Sequence, residues 1–434
     1  MKFYTALFYI LTAVTLTAAD AVTSATPQYQ TSEDTAKPAV RKAVPEKKKK
    51  AAVKKTVPAK KKKAAVNKNR KNDKKTPVPA SVNISAFVPD AKDATAALEK
   101  AIRTRAKEIV FDKAGTYFLR PVKLPRNVRI ILKEDVKIIA LAPEKAEKSL
   151  PGLFTIDNVS RIVFKGSRDN TITVPQGVPA FSIKNSNNIE LRDLMVENSS
   201  SGIKMVNCYG VKMYNLVFDT LAQTALEIDG GNWNSIYDSQ FRNLAGTGVV
   251  VVAGKDGKLP NMTFDNCEFF NSNSGLALRR PEKISAKAPD KKARPARFDI
   301  RSCRFFNNSG IDMELCGELT FGNIRIDNNL FNNKVNTALK LVNFTAAPDA
   351  ITLQVNNCSF NPGDTNLKTP IVCMGTSDLP VGNIKFTNTA VASPVHKKAI
   401  CFDLKKKSGK LEGILPVIAA DGSRLNAILT VEEK

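Results

Sequence analysis

The 434-residue sequence contains a single histidine, His396 near the C-terminus, and none of its seven cysteines stands in a Cys-x-x-Cys pair. A zinc site built on such pairs is therefore not expected. After the first 25 residues, no apolar run approaches the roughly 20 residues that a membrane-spanning helix needs. These scarcities exclude a zinc-ribbon protein and a membrane span beyond residue 25. Acid–base chemistry elsewhere in the chain would depend on residue types other than histidine.

Residues 1–25 are predicted to form a secretory signal peptide. Lys2 supplies the positive charge, residues 3–17 are apolar, and the small residues around Ala18 fit a cleavage site. The apolar run is too short for a membrane anchor, which is the competing interpretation. We therefore expect a protein that is secreted, periplasmic or held at the cell surface.

Residues 26–80 are predicted to form a disordered linker rich in lysine, alanine and proline. Within residues 37–75, 18 basic residues face two acidic ones, and large apolar side chains are too few to offset the entropy of ordering. The linker is either a polycationic arm that binds an anionic cell-envelope polymer or a solvated spacer. The signal peptide argues against a nucleic-acid partner. Beyond residue 75 the chain has 47 basic and 36 acidic residues, so the body is moderately basic.

A short phrase recurs three times, at residues 262–269, 298–305 and 324–331. Each copy alternates apolar and polar residues, passes through a corner that contains Asn or Cys, and ends on Phe. Alternation with a period of two is typical of strands that bury one face. Since Cys267 and Cys303 occupy the same position in their copies, we expect them to stack as buried small residues instead of forming a disulfide.

Aligning the chain on the apolar residue that closes each corner extends the repeat to eight copies. These anchor residues are Val196, Phe218, Phe241, Phe269, Phe305, Phe331, Phe360 and Val391. The residue five positions before each anchor is always apolar, and the residue six positions before is always polar. A second strand follows each anchor, with the predicted inward pairs Ile203/Met205, Leu226/Ile228, Val249/Val251, Leu276/Leu278, Ile311/Met313, Leu339/Leu341, Ile371/Cys373 and Ile400/Phe402.

A single copy cannot bury these apolar faces, whereas coils stacked about 4.8 Å apart can. We therefore predict an all-β solenoid, a parallel β-helix, over residues 81–434. Residues 81–150 would form an N-terminal cap with the first strands, residues 151–410 the coils, and residues 411–434 a C-terminal cap. A β-sandwich is the alternative, but it does not explain eight columns in register.

The start of this domain resembles the N-terminal cap of the pectin-lyase-like superfamily. The shared pieces are Phe87, a helix predicted at residues 93–102 with Asp93 near its N-cap, Ala-Gly-Thr-Tyr at 114–117 and Leu-Pro-Arg-Asn-Val at 124–128. The resemblance implies a single-stranded right-handed parallel β-helix with a strand and helix cap, for which we expect a monomer. It also implies binding or cleavage of a polysaccharide along a groove on the side of the helix.

The outward positions of the second strands give the candidate site. In the alignment, the residues that face the same side within about four coils are Asp229, Arg279, Asp312 and Glu314. Asp312 and Glu314 would lie about 6.8 Å apart along one strand, close to the carboxylate separation of inverting glycosidases. The hypothesis is a charged strip that binds or cleaves a glycan. The alternative is the ordinary polar surface of a solvent-facing strand.

The polygalacturonase branch of the superfamily is excluded by its motifs. Its members carry Asn-Thr-Asp-Gly-Ile-Asp, a paired Asp in the next coil, and Gly-His-Gly. Residues 308–312, Asn-Ser-Gly-Ile-Asp, resemble the first phrase. However, Ser309 replaces a catalytic Asp, and the other two motifs are missing from the sequence.

A lyase mechanism remains open. β-Elimination from a uronate needs a cation to neutralise the carboxylate and a base to remove the C5 proton, and Arg or Lys can supply that base. The candidates are Arg279, Arg280 and Lys255. The longest insertion of the repeat, at residues 279–297, carries eight basic residues and two acidic ones. It is either a basic flap over an anionic glycan or a disordered polar loop.

The predicted site therefore consists of Arg279, Asp312 and Glu314 as catalytic residues, with Lys255, Arg280, Lys291, Lys292 and Asp229 as substrate-binding residues. No cofactor and no dedicated metal site is firmly implied, although the three carboxylates of this set could supply oxygens to Ca²⁺. The sequence favours a secreted β-helix protein that binds, and could depolymerise, an acidic polysaccharide as a lyase or glycosidase. The alternative is a non-catalytic, adhesin-like protein with a polycationic arm.

Overall fold

The computed structural model describes residues 78–141, 152–282, 295–319, 322–332, 337–342, 344, 351–361 and 389, and the strands at 372–374, 384–387, 390–392, 400–402, 415–418 and 424–427. From Lys74 onward the chain forms one compact unit. The predicted signal peptide and nearly all of the predicted linker lie outside the described residues, as do Lys291 and Lys292 of the predicted site. In the part that the structure describes, no helix has the length and hydropathy needed to cross a bilayer.

The domain begins with a strand, a 3-10 turn and a helix. These are β1 at Ser81–Asn83, the turn at Ile84–Phe87 and helix α1 at Thr95–Arg103. The Asp93 carboxylate accepts a hydrogen bond from the backbone N–H of Thr95 (3.0 Å), which satisfies one of the N–H groups that a helix start leaves open. Helix α1 buries Leu98 and Ala101 against the core of the solenoid.

The strands that follow are short. The first are β2 Glu108–Phe111, β3 Gly115–Leu119, β4 Val122–Lys123, β5 Arg129–Leu132, β6 Val136–Ala140, β7 Phe154–Asp157, β8 Ser160–Lys165, β9 Thr171–Thr173, β10 Pro179–Lys184, β11 Asn187–Glu197 and β12 Ser201–Val206. The central strands are β13 Lys212–Asp219, β14 Leu226–Asp229, β15 Asn234–Tyr237, β16 Gln240–Arg242, β17 Thr247–Val252, β18 Met262–Asp265, β19 Glu268–Phe270, β20 Ser274–Arg279, β21 Ala296–Arg301, β22 Arg304–Phe306 and β23 Met313–Cys316. The last are β24 Gly322–Asp327, β25 Leu330–Asn332, β26 Leu339–Val342, β27 Thr352–Asn356, β28 Ser359–Phe360, β29 Val372–Met374, β30 Ile384–Thr387, β31 Ala390–Ala392, β32 Ile400–Phe402, β33 Leu415–Ile418 and β34 Arg424–Ala427.

The described strands form two sheets that run along the solenoid. Sheet 2 contains eleven parallel strands, in the order β4, β7, β10, β12, β14, β17, β20, β23, β26, β29 and β32. The other 23 form sheet 1, to which the coils from β15 to β31 contribute two strands each, separated by a sharp corner. Within sheet 1, β33 continues the parallel stack beside β31, and β34 turns back antiparallel to it.

The predicted register of sheet 1 is confirmed. Each of the eight anchors, from Val196 to Val391, pairs directly with the anchor of the next coil. The column five positions earlier, from Leu191 to Phe386, is also continuous. The column seven positions before the anchors also faces inward. It contains one polar residue, the buried Asn234. Its side chain accepts a hydrogen bond from the backbone N–H of Val211 (3.0 Å), so its polarity is satisfied.

Sheet 2 matches six of the eight predicted inward pairs and differs in two coils. In the fifth coil, Met313 and Leu315 pair with Leu276 and Leu278 and are completely buried. The predicted pair began two residues earlier, at Ile311, and is wrong. A strictly alternating sequence looks the same when the strand is shifted by two residues. The alternation alone therefore does not fix where the strand begins.

In the seventh coil the predicted pair is displaced by one residue. Val372 and Met374 pair with the preceding strand, whereas Ile371 and Cys373 were expected there. The last predicted pair, Ile400 and Phe402, continues the observed column. The sequence after the long connection that precedes β29 therefore did not show at which residue the alternation of this strand begins.

Six phenylalanines of the anchor column stack ring on ring. They are Phe218, Phe241, Phe269, Phe305, Phe331 and Phe360, with consecutive centroids 4.5–5.1 Å apart and planes within 13° of parallel. All six are buried. Complete burial contributes about 1.5–3 kcal/mol for each ring. This phenylalanine ladder is the main apolar column of the core.

Asparagine and aspartate form the corner inside sheet 1, three residues before each anchor. The residues there with φ of 50–56° are Asp193, Asn215, Asp238, Asn266, Ser302, Asn328 and Asn357. Short polar side chains tolerate this left-handed conformation best. Their amides also join the coils, because Asn215 donates to Asp193 (2.9 Å) and Asn266 donates to Asp238 (2.7 Å).

The next residue of this corner points inward and is small or polar. In the later coils it is Ser239, Cys267, Cys303, Asn329, Cys358 and Thr389, and each donates to the carbonyl two residues before it. Cys267 and Cys303 are buried and free, as predicted. Burial raises the pKa of Cys358 to about 11 and that of Cys303 well above its usual value. These thiols therefore remain neutral and unreactive.

Candidate functional site

The turns that lead from sheet 2 into sheet 1 form one edge of the solenoid, which we call the corner edge. Among the described residues it consists of 207–211, 230–233, 253–261, 280–282, 295 and 317–319. The connection 253–261, between β17 and β18, falls here, and the longest insertion of the repeat follows β20 in the sequence. The core therefore keeps its register while this edge is elaborated.

Asp229 and Arg279 lie on the outward face of sheet 2, at the border of the corner edge. They belong to one column, because Asp229 pairs with Val252 and Val252 with Arg279. Two strand spacings separate them, which is about 9.6 Å. Arg279 is exposed and has no ion pair with any residue that the structure describes. An exposed guanidinium two strands from a carboxylate offers an extended ligand one group for an anion and one for a hydroxyl.

Asp312 does not lie on this face, so its predicted outward position is wrong. It precedes β23 in the turn from sheet 1 to sheet 2 and is completely buried. Its carboxylate accepts a hydrogen bond from Asn308 Nδ2 (2.7 Å), and its backbone carbonyl accepts one from the N–H of Leu276. The side chain cannot reach a polymer on the surface, and the predicted pair with Glu314 is not formed.

Glu314 does face outward, in the column next to that of Arg279, where it pairs with Ala277 and Lys340 along the sheet. Its carboxylate forms an ion pair with Lys340 Nζ at 3.0 Å. A carboxylate oxygen engaged by a lysine is less accessible to a substrate. The geometry therefore supports a structural ion pair at this position better than a catalytic acid.

Lys255 and Arg280 lie on the corner edge, on adjacent coils. Lys255 is exposed, and Arg280 forms an ion pair with Glu318. In the same loop as Lys255, burial alone would raise the pKa of Asp256, but the hydrogen bonds and charge of Lys258 lower it below its usual value. This part of the edge therefore carries fixed charges of both signs. Of the further bases of the insertion, Arg297 lies in β21, and those at 283–294, including Lys291 and Lys292, lie outside the described residues.

A second carboxylate pair lies on β14. Glu227 and Asp229 stand two residues apart and both face outward, at a separation of about 6.8 Å along the strand. Glu227 forms an ion pair with Lys204 on the strand below, at 3.2 Å. The alternation in the sequence already indicated both positions, although only Asp229 was selected. The pair has the spacing of two catalytic carboxylates, but one member is neutralised by a lysine.

The carboxylates considered for Ca²⁺ do not fit a shared ion. Asp312 is buried in a turn, Glu314 is bound to Lys340, and Asp229 lies on a strand three coils away from Glu314. Among the described residues, no group of three or more His, Cys, Asp or Glu side chains is arranged to hold a metal ion.

Two exposed aromatic side chains on the corner edge were not predicted. Tyr209 is 48% exposed and Trp233 is 67% exposed, and they lie on neighbouring coils. Both follow a strand of sheet 2 by only a few residues, at positions where the repeat is otherwise polar or glycine. The sequence signal that could have identified them is an aromatic residue within a turn rich in asparagine and glycine.

Two further concave regions occur on the described surface. A cleft of about 470 Å³ lies at the turn from sheet 1 to sheet 2, lined in part by Asn271, Asn307 and Ser309. A smaller one of about 280 Å³ lies on the outer side of sheet 1, between Arg168 and Arg242. The first contains amides and hydroxyls without charged groups. It is where Ser309 replaces the aspartate of the polygalacturonase phrase.

Comparison with known proteins supports the fold. A family profile described as "Right handed beta helix region" matches residues 154–283. No curated protein matches the sequence significantly. Among solved structures, the tailspike protein of E. coli bacteriophage HK620 superposes with a TM-score of 0.52 at 11% identity, over 78% of this chain and 65% of the tailspike.

Two other solved structures cover most of the chain at lower similarity. The exopolygalacturonase of Thermotoga maritima has a TM-score of 0.49 at 14% identity, over 80% of this chain and 93% of the enzyme. The surface protein and adhesin PfbA of Streptococcus pneumoniae has a TM-score of 0.46 at 13% identity, over 78% and 97%.

The coil register, the two parallel sheets and the matched profile together define a right-handed parallel β-helix. This is the fold that the capping segment and the repeats predicted.

Proposed function

We propose that the protein binds an acidic polysaccharide along its corner edge. The observation that carries this proposal is the position of Arg279, which is exposed and without an ion-pair partner among the described residues. It lies where the longest insertion of the repeat begins. The sequence of residues 279–297 adds a surplus of basic residues, eight against two acidic ones. A long surface strip suits an extended polymer better than a small molecule.

Binding without cleavage is better supported than depolymerisation. The predicted catalytic set is dispersed, because Asp312 is buried and Glu314 is held by Lys340. Depolymerisation is the second candidate. It would use Arg279 as the group that faces a uronate carboxylate, in a lyase reaction, or the Glu227/Asp229 pair in a hydrolase.

The setting of this activity is part of the proposal. A secreted or surface-held protein meets polysaccharides outside the cytoplasm, and residues 1–25 have the composition of a signal peptide. The Lys-rich residues 37–75 would add affinity for an anionic envelope polymer. A monomer is sufficient for this function.

The proposal is tested by measuring the affinity of the mature protein for alginate, polygalacturonate and hyaluronan oligosaccharides by calorimetry at several salt concentrations. Exchanging Arg279 and Arg280 together for alanine should weaken binding about tenfold at low salt, or about 0.7 kcal/mol for each charge. The difference should shrink at high salt, because screening weakens exposed charges.

The matched control exchanges Arg301 and Arg304 for alanine. These arginines are similarly exposed, but they lie on the outer face of sheet 1. Equal losses in both double variants would mean that only total charge matters, and the corner edge would be rejected as the site. The same mixtures, assayed for unsaturated product, distinguish a lyase from a binding protein.

A further inference from the structure

Trp233 has a backbone conformation that its side chain disfavours. Its φ is 59°, in the left-handed region, where a bulky residue is a genuine outlier. The coils before it place Asn188 (φ 53°) and Gly210 (φ 63°) at the equivalent position, residue types that tolerate this conformation. Trp233 is nevertheless 67% exposed, so burial of the indole does not offset the strain. The fold gains little from tryptophan here, which indicates a role in binding.

The turn around Trp233 is firmly built. Asn232 Oδ1 accepts hydrogen bonds from the backbone N–H of Trp233 (3.1 Å) and from that of Asn261 on the next coil (2.6 Å). Gly231 lies so close to Cys208 that an added Cβ would be 2.1 Å from its carbonyl oxygen. The backbone that carries the exposed indole is therefore fixed in place.

Tyr209 provides a second exposed ring on the neighbouring coil. It pairs by a backbone bridge with Asn187 on one side and with Asn232 on the other. Next to it, Gly210 has no side chain, and the space around a Cβ there is open except for Asn188 Oδ1 at 3.5 Å. Tyr209 and Trp233 thus lie on adjacent coils, with Gly210 and asparagines at the neighbouring positions.

We propose that Tyr209 and Trp233 form a stacking platform for a pyranose ring of the polysaccharide. One face of a pyranose presents C–H groups, which suit the negative face of an aromatic ring, and its rim presents hydroxyls. The amides of Asn187 and Asn232 border the rings, and the Asp229 carboxylate ends the strand just before the turn. This inference rests on the proposed function and names the subsite at which a sugar is held.

The polar surroundings distinguish a sugar from the other partners that bind exposed aromatic residues. A large contiguous apolar patch is the usual mark of a protein or membrane contact site. Here the neighbouring residues are asparagine and glycine, and the other exposed large apolar residues among those described are Val78, Val88 and Leu330, outside the corner edge. Two isolated rings with amide neighbours fit an amphipathic sugar ring.

Trp233 is the sole tryptophan of the chain, so intrinsic fluorescence reports on this turn alone. The full-length protein is titrated with alginate, polygalacturonate and hyaluronan oligosaccharides and with neutral dextran. At saturation with a probe that binds, we expect a blue shift of the emission and less quenching by acrylamide. Trp233→Asn should weaken binding at least tenfold, and Trp233→Phe should lose less.

The variant Trp233→Asn also separates binding from folding. Asparagine is favoured at a left-handed position, so the urea midpoint should be equal to that of the wild type or higher. The control Val88→Asn makes the same backbone change at an exposed residue with φ 47° and should leave binding unchanged.

The possible results distinguish a failure of the stacking platform from a failure of the proposed function. If a probe binds the wild type but Trp233→Asn binds it equally well, or if the emission does not change on binding, the stacking platform is wrong and the proposed function survives. If none of the probes binds, both proposals fail. If Trp233→Asn abolishes self-association or binding to lipid vesicles instead, the ring serves a different partner and the inference is overturned.

Discussion

At the scale of single residues, burial separates Asp312 from Glu314, although both are acidic residues of one coil. Asp312 is enclosed and hydrogen-bonded by Asn308, whereas Glu314 is half-buried and paired with Lys340 across the outer face of sheet 2. A buried hydrogen-bonded carboxylate organises its turn, and removing it leaves a buried donor without this partner. Removing the Glu314 carboxylate at the surface loses only an ion pair that solvent screens.

We expect Asp312→Ala to lower the free energy of unfolding by about 2–3 kcal/mol, from the lost hydrogen bond and the altered buried turn. Glu314→Ala should cost about 0–1 kcal/mol. Urea denaturation followed by circular dichroism measures both. A smaller loss for Asp312→Ala than for Glu314→Ala would contradict the buried position of Asp312.

The sequence could place Asp229 and Arg279 correctly but not Asp312. The run Ile311 to Leu315 alternates apolar and polar residues throughout, so two strand starts fit it equally well. Trp233 and Tyr209 were missed for a different reason. Alternation predicts which strand residues face outward, but it does not address turns, where exposure depends on backbone conformation.

At the scale of elements, the phenylalanine ladder connects six consecutive coils through stacked rings. Phe269 lies in its middle, with ring centroids 4.8 Å from Phe241 and 4.7 Å from Phe305. The adjacent Phe270 faces outward and stacks only on Phe306, at 4.7 Å. Phe269 therefore has two stacked partners and is buried, whereas Phe270 has one and is partly exposed.

We expect Phe269→Ala to destabilise the protein by about 3–5 kcal/mol, because it leaves a cavity between two rings of the ladder. Phe270→Ala, the matched control, should cost about 1 kcal/mol, mainly from the lost pair with Phe306. Thermal and urea unfolding compare the two variants. Equal losses would mean that stacking, and not burial in the core, dominates the ladder.

Most of the strands of sheet 1 could be predicted because their side chains repeat at fixed positions in every coil. The anchor Phe, the inward residue five positions earlier and the left-handed Asn of the corner constrain one another by stacking. Sheet 2 was harder, since turns of variable length precede its strands. At Met313 the alternation fits two strand starts equally well, and residues 371–374 are all apolar.

At the scale of the whole molecule, the coils keep a constant register while variation is concentrated on particular edges. The connection 253–261 lies on the corner edge, together with Arg279, Lys255 and the exposed ring of Trp233. A solenoid can lengthen such turns without disturbing its core, because each coil contacts only its neighbours. An extended edge of this kind suits an extended polymer.

Hydrogen–deuterium exchange of the full chain, with and without a saturating concentration of the anionic oligosaccharide that binds best, tests the location of the binding site most directly. We expect slower exchange at 207–211, 230–233 and 253–261, with little change in the strands that are already hydrogen-bonded. Protection confined to the opposite turns, at 271–273 and 307–309, would place the ligand in the uncharged cleft and contradict the corner-edge account.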